Sequence, residues 1–295
     1  MSQARSPELK FSLLGPLRAW QGDTELSLGT PQQQAVLAML VLAAGRPVTL
    51  EAMIDGLWEG DPPPGAAGTA RTYVYRLRRL LGHSRPHRQA GPIRSARAGY
   101  VMPAEARVLD LETFDLKTKD ATALIRRGDG FKPRAAALLR DALRLRQGET
   151  LTDLPGPYAS WQRVRINELH LAAAEQRLAL DTELGAHVGA AAELRSLVAA
   201  HPGRERLSEL LMLALYRAGR QVEALAVFDD ARRMLVEEFG VEPGPALRDM
   251  QRRILSADET LLPSPPNHPG RIAARSTRRR PCRSSTRKTR TCSPR

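Results

Sequence analysis

A glycine followed by small or apolar residues at fixed offsets recurs in the second half of this chain, and it constrains the fold more than any other feature. Gly219, Ala224, Phe228 and Ala231 stand at offsets 0, 5, 9 and 12, and Gly185, Ala190, Leu194 and Leu197 repeat them 34 residues earlier. Pro202 closes the earlier unit 17 residues after its glycine. Gly130, Ala135, Leu139 and Ala142 show the same offsets, 55 residues before Gly185. A 34-residue period is that of tetratricopeptide helix pairs. Glycine turns the chain between the two helices, and small residues let them pack closely. The irregular spacing of 55 implies an insertion, and "RQGETLTDLPGPYAS" at 146–160 suits it. Such arrays bind protein or peptide surfaces; a bundle that only dimerises or buffers the rest of the chain fits the same pattern.

Charge divides the chain differently. Residues 1–61 balance at −3, residues 62–104 at +8, residues 105–262 at −2 and residues 263–295 at +10. The second block holds eight arginines and no acid. Positive charge confined to two blocks points to a polyanionic partner. The last block, "PSPPNHPGRIAARSTRRRPCRSSTRKTRTCSPR", has no hydrophobic periodicity, and a disordered basic tail is expected there. Its charge would add non-specific DNA affinity, or it is an extension with no selected role.

The order of elements places the folded basic block in a known kind of unit. "KFSLLG" at 10–15, "LRAWQ" at 17–21 and "ELSL" at 25–28 read as short strands separated by Gly-Pro and Gly-Asp turns. "TPQQQAVLAMLVLAAG" follows as a helix with Thr30 as cap, Pro31 at its first position and Gly45 after its end. "RPVT" is an extended link, and "LEAMIDGLWEG" a second helix. "GTARTYVYRLRRLLG" at 68–82 is a third, and "RQAGPIRSARAGYVM" alternates as a hairpin would. Strands, three helices and a hairpin make a winged helix-turn-helix domain. Its third helix enters the major groove of DNA, and its hairpin reaches an adjacent minor groove.

The third helix supports this on its wheel. Ala70, Val74, Leu77 and Leu81 share an arc of about 60° and face a core. Thr69, Thr72, Tyr75, Arg76 and Arg79 occupy the opposite arc. Arg71 and Arg78 lie between, where a long stem packs while its guanidinium reaches outward. Arginine donates bidentate pairs to guanine or binds phosphate, and Thr and Tyr hydroxyls reach phosphates or base edges. Arg94 and Arg97 add two positive charges on the hairpin. A solvated basic helix is the plain alternative.

Other chemistry finds no support. The chain has no Gly-Lys pair, hence no Walker A motif, and no HExxH. Cys282 and Cys292 are its two cysteines, both in the tail, so neither a disulfide framework nor a zinc site is expected. His170 and His187 read as surface or boundary residues, and Trp58 and Trp161 as core. No catalytic, cofactor or metal residue is assigned, and the chain reads as a non-enzyme. The N-terminus "MSQARSPELKF" lacks an apolar stretch, so a cytoplasmic, nucleoid-associated protein is expected.

On these residues the chain resembles the Streptomyces antibiotic regulatory protein family of transcriptional activators. The resemblance is carried by "FSLLGPL" at 11–17, "PQQQAVLAMLVL" at 31–42, "LWEGDPP" at 57–63, "RTYVYRLRRLLG" at 71–82 and "IRSARAGYVM" at 93–102. It continues through residues 201–255, which resemble a bacterial transcriptional activation domain. It implies an OmpR-type winged helix reading direct repeats upstream of a promoter. Thr69, Arg71, Thr72, Tyr73, Arg76 and Arg78 then fall at groove or phosphate positions, and Arg97 where a wing arginine enters the minor groove. The wheel sets Tyr73 and Arg78 beside the core arc instead. About nine residues precede the first strand, so a receiver domain is not expected on this chain, and neither is a nucleotide-binding module.

The expected architecture is mainly helical with a small β component. A winged-helix DNA-binding domain at 1–105 is followed by tetratricopeptide-like helices at 106–262 and the tail at 263–295. The expected activity is sequence-specific activation of secondary-metabolite genes. Its expected partners are double-stranded DNA, RNA polymerase and a second copy of the chain on DNA. A fragment ending near Ala106 is expected to keep operator binding and to lose activation. An interaction adaptor with incidental DNA binding, or a repressor, shares the same residues.

Overall fold

The computed structural model describes residues 9–82, 91–104 and 107–262. The tail, with its two cysteines, and the first residues of the hairpin segment lie outside them.

Three strands open the fold: β1 (Leu9–Ser12), β2 (Arg18–Gln21) and β3 (Thr24–Glu25), joined as an antiparallel meander. The expected third strand is shorter and ends at Glu25. Helix α1 (Pro31–Leu42) begins as expected, with a capping box in which Thr30 and Gln33 satisfy each other's backbone N–H groups. Every residue from Ala35 to Val41 is buried, as its all-round apolar sequence requires. The extended link forms β4 (Val48–Thr49), and Thr49 caps α2 (Leu50–Trp58) by accepting from Ala52 N. Helix α3 (Ala66–Leu80) buries Ala66, Ala70, Val74 and Leu77 on one stripe.

The hairpin is β5 (Arg94–Ala96) and β6 (Gly99–Val101), and β4 joins it to give the order β4-β6-β5. Gly99 makes that third strand possible: a Cβ there would lie 2.0 Å from Val48 O. β7 (Arg107–Leu109) returns to the first sheet, parallel to β1, in the order β3-β2-β1-β7.

The rest is helical. α4 (Asp110–Arg126) and α5 (Lys132–Leu143) form the first pair, α6 (Pro157–Glu183) and α7 (His187–Ala200) the second, and α8 (Glu205–Arg217) and α9 (Gln221–Phe239) the third. α10 (Pro245–Leu255) packs against α8. Gly185 and Gly219 hold positive φ of 93° and 75° at the turns of the second and third pairs, so the repeat reads correctly there. In the first pair the positive-φ glycine is Gly128, at 112°, because a short 3-10 turn over Asp129–Phe131 carries Gly130. Ala135, Leu139 and Ala142 are nevertheless buried as the offsets imply.

Residues between α5 and α6, the expected insertion, act as a strap. Gln147 N donates to Leu14 O at 2.8 Å and Leu151 N to Gly15 O at 2.7 Å. Leu151 and Leu154 are buried. Beside the strap, the Asp110 carboxylate accepts from Ser12 Oγ (2.7 Å) and from the N–H groups of Leu13, Leu14 and Leu111. One hydrophobic core therefore runs from Leu9 through α1, α4 and α5 to Leu180, without a break at residue 105. A second core runs from Leu171 to Leu261, and α6 serves both.

Trp58 is half-buried against the first core, but Trp161 is 75% exposed. Helix α6 turns Ala159 and Ile166 inward, seven positions apart, which leaves Trp161 on the outer side. Among the described residues no helix is long and apolar enough to cross a membrane.

Candidate nucleic-acid interface

The buried stripe of α3 decides which side chains face outward. Arg71, Thr72, Tyr75, Arg76 and Arg79 are exposed, and Tyr75 keeps 60% of its surface in water. Arg94 and Arg97 are exposed on the hairpin. Among the described residues no ion pair or side-chain hydrogen bond engages Arg71, Arg76, Arg79, Arg94 or Arg97. Five guanidinium groups on two adjoining elements thus keep all their donors free for an external acceptor.

The threonines are less free. Thr72 Oγ1 donates to Gly68 O at 2.9 Å, and Thr69 Oγ1, half-buried, to Gly65 O at 3.4 Å. Their hydroxyl protons are spent on the helix, so each offers lone pairs to a base amino group before it offers a proton to a phosphate.

Tyr73 and Arg78 have internal roles. Tyr73 is half-buried, and its Oη donates to Gln32 Oε1, fastening α3 to α1. Arg78 Nε donates to Ile93 O and its Nη2 to Ser95 Oγ, both at 3.0 Å, while its guanidinium lies 5.3 Å from the Tyr100 ring centroid. Ser95 and Tyr100 face each other in the hairpin register, so one side chain holds both strands. Their half-burial matches the wheel's placement of these two residues beside the core arc.

Sequence reasoning missed Gln32, Ser95 and Tyr100. The alternation of the hairpin puts Ser95 and Tyr100 on one face once its turn is known, but nothing local says that Arg78 reaches them. Among the described residues no group of three or more metal-binding side chains occurs.

Comparison with known proteins bears on both halves. Residues 23–102 match the family described as transcriptional regulatory protein, C terminal, and residues 109–255 match the bacterial transcriptional activator domain. The chain is 48% identical over 259 residues to the regulatory protein AfsR of Streptomyces griseus, which covers 88% of this chain and 26% of that protein. It is 33% identical over 266 residues to the regulatory protein DnrI of Streptomyces peucetius, covering 88% of this chain and 97% of that one. A solved structure of Mycobacterium tuberculosis EmbR in complex with a low affinity phosphopeptide aligns with a TM-score of 0.78 at 33% identity. That alignment covers 85% of this chain and 66% of the other. The chain spans about a quarter of the length of the AfsR proteins it matches.

Proposed function

We propose, from the premise that this chain belongs to the Streptomyces antibiotic regulatory protein family, that it is a sequence-specific DNA-binding activator of transcription. Helix α3 lies in the major groove, with Arg76 at the centre of its outer face toward base edges and Arg71, Tyr75 and Arg79 toward bases or phosphates. Thr69 and Thr72 present acceptors along the same face. Arg94 and Arg97 reach the neighbouring minor groove, and Tyr73 and Arg78 hold the reading helix and the wing in register. The functional division falls near residue 105: the first region reads DNA, and the helix pairs contact RNA polymerase and a second copy bound at a direct repeat. Genes of secondary metabolism, read in the cytoplasm, are the proposed targets.

One observation carries this reading: five arginines without a partner among the described residues share α3 and the wing, while no acid occurs between residues 62 and 104. Selection of bound sites from random duplexes, followed by gel-shift titration at two salt concentrations, tests it. A recovered direct repeat that survives the higher salt supports it. Unselective binding that vanishes with salt would leave an adaptor whose DNA contact is incidental. Reconstituted transcription from a promoter carrying the recovered sites then separates an activator from a repressor.

A further inference from the structure

Between α5, α6 and α7 lies an open cavity of about 480 Å³, within the size range of small-molecule sites. Its floor is apolar, made by Leu143, Leu171, Ala174 and Leu197, and four arginines stand around it. We propose that this cavity binds a small organic carboxylate with an apolar body.

The arginines differ in what they have left to offer. Arg140 and Arg177 share the Asp181 carboxylate, and Arg177 also meets Glu193, so their charge is answered within the protein. Arg146 is half-buried, and its acceptors are neutral: Nε donates to Gly148 O at 3.0 Å and Nη2 to Asn167 Oδ1 at 3.1 Å. Among the described residues no carboxylate pairs with it. A partly desolvated guanidinium with neutral partners alone gains most from an arriving anion, and its planar fork matches a carboxylate. Arg144 stands at the rim, with its side chain 78% exposed and Asp141 at 3.4 Å.

His170 lines the cavity, its ring stacked on Phe114 and its Nε2 buried away from solvent. Burial first, and Arg146 second, hold its pKa below the ordinary histidine value. One arginine without a carboxylate partner, Arg146, with Arg144 at the rim already paired to Asp141, suits a single negative group rather than a polyphosphate, and the leucine floor takes the remainder of the ligand.

Ligand-observed NMR titration of the full chain with 3-phenylpropionate, 3-phenylpropanol and inorganic phosphate tests this. Phenylpropionate should saturate one site, with the alcohol and phosphate each binding about tenfold more weakly. Ala174→Phe should fill the floor and abolish phenylpropionate binding. Arg146→Gln should weaken phenylpropionate about tenfold without changing the residual affinity for the alcohol. Because Arg146 also steadies the loop at Gly148, Arg144→Gln serves as a second probe, expected to weaken binding about twofold to threefold. Equal binding of the alcohol would overturn recognition of the carboxylate. Equal binding of phosphate would overturn the apolar floor, and indifference to Ala174→Phe would place the ligand elsewhere.

Discussion

The arginines of α3 and the wing differ from those of the helix pairs in the carboxylates around them. Among the described residues Arg71, Arg76, Arg79, Arg94 and Arg97 meet none, whereas Arg204 lies between Glu168 and Glu175, Arg177 between Asp181 and Glu193, and Glu223 between Arg195 and Arg220. The same residue type thus serves two purposes. Unanswered, it projects a field that a polyanion neutralises; answered, it adds ion pairs between helices whose buried apolar core does most of the holding. Arginine counts by themselves would rank both regions alike. The separation of purposes comes from whether acids share the surface.

The largest expected effect tests how separable the two regions are. A fragment ending at residue 106 loses β7, Asp110 and the strap, and with them the far side of the first core. We expect it to lack a cooperative thermal transition and dispersed amide resonances, and so to lose operator binding through loss of fold. This revises the expectation drawn from sequence. A sharp two-state melt of that fragment would show that the basic region stands alone.

Asp110→Ala strikes the same joint more gently. Three backbone N–H groups and the Ser12 hydroxyl lose their acceptor, which should cost about 2–3 kcal/mol in a urea titration. Unchanged stability would mean that water replaces the carboxylate.

Arg76→Ala should cost about 1–3 kcal/mol of operator binding and relax preference at one base pair, with the melting temperature unchanged. Gel shifts against all single-base operator variants read it out. A uniform loss would reassign Arg76 to a phosphate. In the other region, Arg204→Ala should show the mirror image: about 1 kcal/mol of stability lost and no change in operator preference.

The smallest effect concerns acid. The hydrogen bond from Arg220, then that from Arg195, lowers the Glu223 pKa from 4.5 to about 2, and Asp258 falls from 3.8 to about 2 through Thr260 and Arg253. A lowered carboxylate stabilises the folded state above its unfolded pKa and loses that contribution as pH falls through the folded value. Between about pH 4.5 and 2 the helix pairs should therefore loosen, by hydrogen exchange, with Glu223→Gln abolishing that part of the pH dependence.

Local patterns on the page of residues were enough for much of this. The capping box at Thr30, the stripe of α3, the glycine turns at Gly185 and Gly219, and the hairpin all follow from short-range rules, because each is decided by neighbours within one turn or one strand pair. Thr72, Tyr75, Arg76 and Arg79 face outward on α3 for the same reason, while Thr69 is half-buried and Arg71, set between the arcs, is exposed. Trp161 escaped because apolarity says a residue prefers burial, while the helix phase that Ala159 and Ile166 impose leaves it outside.

What the chain alone determined is the kind of each element and the sign of each surface: helices, turns, a basic reading face, and an arginine-rich but neutral array. Only the tertiary structure decided that the first core continues past residue 105, that the strap at 147–151 binds β1's turn, and that Arg78 grips the wing while Arg76 stays bare. The physical reason is range. Helix phase and capping depend on residues a few positions apart, but a guanidinium finds a carbonyl 15 residues away, or a carboxylate an N–H group 97 residues away, only after the chain has closed around a core.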